Sequence, residues 1–177
     1  MSKRYVLCLT AADRPGILAA VATALAELGG DIDEISHSVV KNFFAIILAA
    51  DFPEGRDPKV IVGHVEGVCR PFGVQVILKD PDREAIPPPL SAAGDNYVLT
   101  ITGRDAPGIV ARISGCLARE GIDIVNLHGS RRDDGRSFEL VFELGVPAGV
   151  DGASLQGELE QVGASLGLLV RLQRAVD

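Results

Sequence analysis

The chain carries an internal repeat. Shifted by 92 positions, Tyr5–Ser38 lies over Tyr97–Ser130, and 15 of the 34 pairs are identical. The identities include Tyr5, Val6, Leu7, Asp13, Pro15, Gly16, Ile17, Gly29, Asp31 and Ile32. Beyond the next turn the offset becomes 94, with Phe44 over Phe138, Pro53 over Pro147 and Gly73 over Gly167. A two-residue change belongs at a hairpin tip, where insertions disturb least. The repeat therefore predicts one folding unit made twice. Its boundaries fall at residues 1–80 and 96–177, joined by a linker at 81–95. Pro81, Pro87, Pro88, Pro89 and Gly94 make that linker read as an extended, semi-rigid spacer.

Within one unit the hydrophobic period changes in a definite order. Tyr5 to about Thr10 is a short apolar run of strand length. Ile17, Val21, Leu25 and Leu28 recur at helical spacing, and Gly29-Gly30 closes the helix. Asp31 to Val40 reads as a second strand whose broken alternation predicts a bulge. Lys41-Asn42 turns the chain into Phe43–Phe52, a near-continuous apolar run that predicts a buried strand. Ile61, Val65, Val68 and Phe72 mark a second helix ending at Gly73, and Val74, Val76 and Leu78 alternate as a last strand.

The second unit repeats this order. Ile109, Ile113 and Leu117 give its first helix, Asp134-Gly135 its hairpin turn, and Leu155, Leu159, Val162 and Leu166 its second helix. The expected class is α+β: two ferredoxin-like βαββαβ units, each a four-stranded antiparallel sheet covered by two helices. An unpaired sheet edge in each unit predicts association, within the chain or as a homo-oligomer.

Charge and composition narrow the chemistry. A net charge of −7 and a pI near 4.9 argue against direct nucleic-acid binding and against an anionic membrane surface. No apolar run reaches the length of a membrane span, and Asp13 and Arg14 interrupt the first one too early for a secretory leader. Cys8, Cys69 and Cys116 have no paired spacing, so buried, reduced thiols in a cytoplasmic protein are expected. His37, His64 and His128 do not occupy equivalent repeat positions, and no nucleophile–base set, phosphate loop or metal-ligand spacing recurs. Neither catalytic residues nor a metal or cofactor are expected. The mixed-charge stretch Arg131-Arg132-Asp133-Asp134-Gly135-Arg136 reads as a solvated hairpin tip or as a contact for an anion or a protein.

The repeat's most chemical feature is its loop: Asp13, Arg14, Pro15, Gly16 and Ile17, echoed by Asp105, Ala106, Pro107, Gly108 and Ile109. Each loop joins a strand to a helix, with proline at the helix start and aspartate placed to cap it or to face the loop. Free N–H groups and the positive end of a helix dipole suit a small anion such as an amino-acid carboxylate. Asp31 and Asp123 open the following strands and are expected beside the loops, where a carboxylate could take the ligand's ammonium.

These residues resemble the ACT-domain family. The likeness rests on Asp-x-Pro-Gly-Ile after Tyr-Val-Leu, followed by Gly29-Gly30-Asp31-Ile32, and covers both units. It implies pairing of units edge to edge or face to face, with amino acids bound at the unit interface. The implied ligand positions are Asp13, Arg14, Pro15, Gly16, Ile17 and Asp31, and then Asp105, Ala106, Pro107, Gly108, Ile109 and Asp123. In serine-responsive members the loop and strand positions are typically asparagine; here all four are aspartate. Two such units together resemble the glycine cleavage system transcriptional repressor family. That implies a sensor of glycine or a similar amino acid, regulating transcription through a protein partner such as a DNA-binding regulator. The other reading is a ligand-free ACT module that only mediates protein association.

Overall fold

Strand β1 (Ser2–Ala12), helix α1 (Ile17–Glu27), β2 (Asp31–Val40), β3 (Phe43–Pro53), α2 (Pro58–Val68) and β4 (Gln75–Lys79) build the first unit. The second follows as β5 (Asp95–Arg104), α3 (Ile109–Arg119), β6 (Asp123–Arg131), β7 (Ser137–Val146), α4 (Gly152–Ser165) and β8 (Leu168–Arg174). The computed structural model describes residues 2–84, 94–132 and 137–175. The chain divides into two compact units, Met1–Pro87 and Pro88–Asp177. Both sheets are antiparallel, in the orders β2-β3-β1-β4 and β6-β7-β5-β8, so the expected βαββαβ fold is present twice.

Alternation along the strands decides which side chains form the core. In β1, Tyr5, Leu7, Leu9 and Ala11 are buried, and in β3 Phe44, Ile46, Leu48, Ala50 and Phe52 join them. Ile17, Val21, Leu25, Ile61 and Val65 close the same core from α1 and α2. The second core repeats the scheme with Leu99, Ile101, Phe142, Leu144, Ile113, Leu117 and Leu159. Burying a leucine or isoleucine side chain of this kind stabilises by about 1.5–3 kcal/mol. Both first helices end in the same way: Gly29 at φ 74° and Gly121 at φ 66° let the next N–H reach back three carbonyls before the cap.

Four expectations need correction. The β3 run is buried on one side only, because both helices lie on that side; Phe43 and Ile47 point out of the core and are exposed. The second helix stops at Val68, and Arg70–Phe72 is a separate 3-10 turn, since Pro71 has no N–H to continue the helix. The linker does not begin as extended chain: Pro81–Arg83 forms a 3-10 turn capped by the Asp80 carboxylate, which also holds Lys3 at 2.8 Å. Cys8 is half-buried rather than buried, unlike Cys69 and Cys116. The Asp134-Gly135 turn and the Pro87-Pro88-Pro89 stretch lie outside the described residues.

The predicted bulge in β2 falls between Ile32 and Glu34. The predicted turn at Lys41-Asn42 has both residues at positive φ, 51° and 63°, as a tight two-residue hairpin demands. Lysine is a poor choice there, because its Cβ crowds the backbone in the left-handed region. Replacing Lys41-Asn42 by Asn-Gly should therefore raise unfolding stability by about 0.5–1 kcal/mol, read from urea denaturation midpoints.

Candidate functional site

The two repeat loops are built by glycine. Gly16 at φ 97° and Gly108 at φ 86° cap α1 and α3 from the left-handed region, and their carbonyls accept from Ala20 and Arg112 at 2.9 and 3.0 Å. Proline accordingly stands one residue before the cap, not at the first helical position. Asp13 and Asp105 do not cap: neither helix receives a side-chain hydrogen bond at its N-terminus. The second helices differ. Asp57 accepts from the Lys59 N–H at 2.8 Å, and Asp151 accepts from the Ser154 N–H at 2.9 Å. The first turns left without side-chain acceptors are thus those of the duplicated loops.

Asp13, Arg14, Pro15 and Gly16 are all exposed, whereas Ile17 is 1% exposed and anchors the loop to the core. Asp105, Pro107 and Gly108 are likewise exposed, Ala106 is half-buried, and Ile109 is in the core. The isoleucine side chains are therefore turned away from the loop surface, and the Ile17 N–H donates to the Arg14 carbonyl at 3.4 Å. The Asp13 N–H donates to the Asn42 carbonyl at 2.8 Å, which ties the first loop to the β2–β3 hairpin.

The expectation that the strand aspartates stand beside the loops is overturned within each unit. Asp31 pairs with Asp51, whereas the loop follows Ala12, which pairs with Phe43. From Phe43 to Asp51 is eight residues of extended chain, about 27 Å. The same holds for Asp123, opposite Gly145, and the Arg104–Ser137 pair before Asp105. A helix returns the chain to the far end of the sheet, so the next strand begins where the previous one began. Loop and aspartate occupy opposite ends of β2, which is an edge strand.

The electrostatic partners differ between units. In the second, Arg131 from the end of β6 pairs with the Asp105 carboxylate. The first unit has Val39 at that repeat position and carries its arginine within the loop, at Arg14. At the other end, Arg4 forms a two-pronged pair with Asp51 at 3.0 and 2.8 Å and also reaches Asp33 at 3.0 Å. That arginine holds the Asp51 carboxyl below the ordinary carboxylate range and has its own basicity raised. Asp123 stands where the second unit has Asn96, Val125 and Gly145 instead. These pairings were not visible in the sequence; the unequal residues at equivalent repeat positions were the available signal.

The histidines serve separate local contacts. His64 bonds Glu27 at 2.8 Å between α2 and α1, and His37 lies against the Phe44 ring. Of the mixed-charge tip, Arg132 meets Glu139 at 3.4 Å, and residues 133–136 lie outside the described residues. Among the described residues there is no metal-holding group of three His, Cys, Asp or Glu, and no helix long and apolar enough to cross a membrane.

Comparison with known proteins agrees with this architecture. ACT-domain profiles match residues 5–59 and 96–173. A UPF0237 protein of Methanopyrus kandleri is 34% identical over 83 residues, 45% of this chain and 89% of the relative. One from Methanocaldococcus jannaschii is 32% identical over 80 residues, with the same coverage. A crystal structure of an unknown protein from Galdieria sulphuraria superposes with a TM-score of 0.81 at 21% identity, covering 99% of this chain and 100% of that one. A protein provisionally named a glycine cleavage system transcriptional repressor superposes with a TM-score of 0.68 at 15% identity, covering 100% and 99%.

The Arg4 cluster makes a test. Because Asp51 titrates lower in the folded chain than unfolded, its contribution is present above the unfolded carboxylate range and is lost as pH falls through the lowered value. Arg4→Gln should therefore lower the urea midpoint at neutral pH, with the deficit shrinking as the pH falls out of the unfolded carboxylate range and through the lowered folded value. A deficit that does not depend on pH would assign Arg4 a packing role instead.

Proposed function

Because this chain belongs to the ACT-domain family, we propose that it is an amino-acid-sensing regulatory protein whose ligand is glycine or a similarly small amino acid. The observation that carries this reading is the exposed first turn of α1, which no side chain caps, beside an edge strand whose far end carries Asp31. The N–H groups of that turn suit a carboxylate, and Asp31 suits an ammonium. Since one unit holds these groups about 27 Å apart, a complete site needs two units. If the β2 edges of two copies pair antiparallel, the start of one strand meets the end of the other. The Asp13–Ile17 loop of one copy then approaches Asp31 of its partner, twice by symmetry.

Ligand bridging two copies favours the paired arrangement by its differential affinity, and the pairing is the regulatory output. The acidic chain would act on transcription through a protein partner, such as a DNA-binding regulator, rather than on nucleic acid directly. The fold shared with the provisionally named glycine cleavage repressor supports glycine metabolism as the regulated process. For the second unit the Asp105–Arg131 pair favours another reading: a loop closed on its own arginine, serving association without a ligand.

Calorimetric titration of the full chain with common amino acids tests both readings. Glycine has five non-hydrogen atoms, so its Kd can be no tighter than about 3 µM. Binding weaker than that bound is expected, and Asp31→Asn should weaken it by about tenfold or more through loss of a charge-assisted hydrogen bond. Asp105→Ala should leave affinity unchanged. Absence of heat with every amino acid at millimolar concentration would leave only the association module.

A further inference from the structure

The row that closes the second sheet at its loop end is cationic, and the same row of the first sheet is not. Across β6, β7 and β5 it reads Arg132, Ser137, Arg104: the Arg132 N–H donates to the Ser137 carbonyl at 2.9 Å, and Arg104 pairs with Ser137. The repeat sets Val40, Phe43 and Ala12 at these places, in the same register. Two guanidiniums and a hydroxyl thus stand where the other unit has three apolar side chains, in a chain whose net charge is −7. Strand alternation separates this row from the Asp105 contact. Arg131 is in register with Phe138, which is buried, and turns to the helix side to meet Asp105. Arg132, one residue on, points to the opposite face. Its contact there with Glu139 is long, 3.4 Å, and Arg104 is exposed with no ion pair among the described residues. Beside these groups lies an open hollow of about 470 Å³, whose wall includes Leu166 and Leu169. Leu166 is half-buried and Leu169 is 77% exposed.

We propose that this hollow is a binding site for a small organic phosphate. The phosphoryl group sits between Arg104 and Arg132, and a short apolar body lies against Leu166 and Leu169. β5 and β6 flank β7 and stand about 10 Å apart, so the two guanidiniums approach an anion from two sides. Each fork of parallel N–H groups grips one edge of an anion. A carboxylate offers one such edge, whereas the three terminal oxygens of a phosphate monoester offer more than one. A dianion also competes better than a monoanion against Glu139 for Arg132. The apolar wall favours an ester over the bare inorganic ion. Of the mixed-charge stretch that reads in the sequence as an anion contact, Arg132 is the member assigned to this role, and Arg131 is not. The site lies in the second unit and faces away from the Asp105–Arg131 pair, so it stands or falls apart from the amino-acid reading.

Calorimetric titration of the full chain with butyl phosphate tests the site, in a phosphate-free buffer of low salt because exposed charges are screened. Butyl phosphate should bind about tenfold or more tighter than inorganic phosphate, since each fully buried methylene is worth about fourfold. Arg104→Gln and Arg132→Gln should each weaken it by about tenfold or more through loss of charge-assisted hydrogen bonds. Arg131→Gln should leave affinity unchanged. Leu169→Ser should weaken butyl phosphate and spare inorganic phosphate. Pentanoate, which carries the same butyl chain on a carboxylate, should bind about tenfold or more weakly than the phosphate. All four substituted side chains are exposed, and the urea midpoint checks that each variant keeps its fold. Pentanoate binding as tightly as butyl phosphate would overturn the phosphate assignment. Equal losses in Arg131→Gln and Arg132→Gln would overturn the site in favour of general attraction to a basic hairpin. So would millimolar butyl phosphate that gives neither heat nor a shift of the arginine Nε resonances.

Discussion

Two helices on one side of a four-stranded sheet impose the constraint on which the rest depends. Leu7, Leu9, Ile46 and Leu48 alternate with residues that α1 and α2 cannot reach, so the central strands β1 and β3 bury every second residue along most of their length. In the second unit the uncovered half sets the charges of Glu139, Glu143 and Arg171 among apolar residues such as Val141 and Leu169. In the first unit Ile47, Cys8 and Ile77 line up uncharged across β3, β1 and β4, and β3 is accordingly apolar on both faces. The same arrangement leaves β2 and β6 as edges with unpaired backbone groups. Each unit thus has an uncovered edge, and the first also an uncovered apolar face.

The helix crossover has a second consequence. A chain that climbs a strand and descends a helix must begin its next strand at the bottom of the sheet. The anion-suited helix start and the ammonium-suited aspartate are thereby kept at opposite ends of one edge. Antiparallel pairing of two such edges brings opposite ends together, which is why the proposed site is assigned to two copies. On the proposed reading, ligand occupancy and assembly state would be thermodynamically linked.

Duplication did not keep the two units electrostatically equal. One unit places its arginine in the loop, at Arg14; the other places it on β6, at Arg131, where it closes on Asp105. Arg4 gathers Asp33 and Asp51 near Asp31, while Asp123 stands opposite a glycine. The backbone of the repeat is shared, and the charges around it have diverged.

Much of the fold was legible in the residues because it rests on local periodicity. Helical stripes such as Ile17–Val21–Leu25, the glycines that end α1 and α3, and the β2 bulge each depend on neighbours within a turn or two. The duplicated loop was legible for the same reason, since a left-handed glycine before a helix is a local device. What a side chain meets across the sheet is not local. Sequence places Asp31 beside Asp13, takes the doubly apolar β3 as buried, and leaves Asp13 either to cap the helix or to face the loop, where Gly16 supplies the cap. Strand register alone decided that Asp31 faces Asp51, that Arg131 reaches Asp105, and that Ile47 lines up with Cys8 and Ile77 on an uncovered face. Periodicity tells a chain which elements to form; only the packing of distant strands decides which of its side chains share an end, a row or a face.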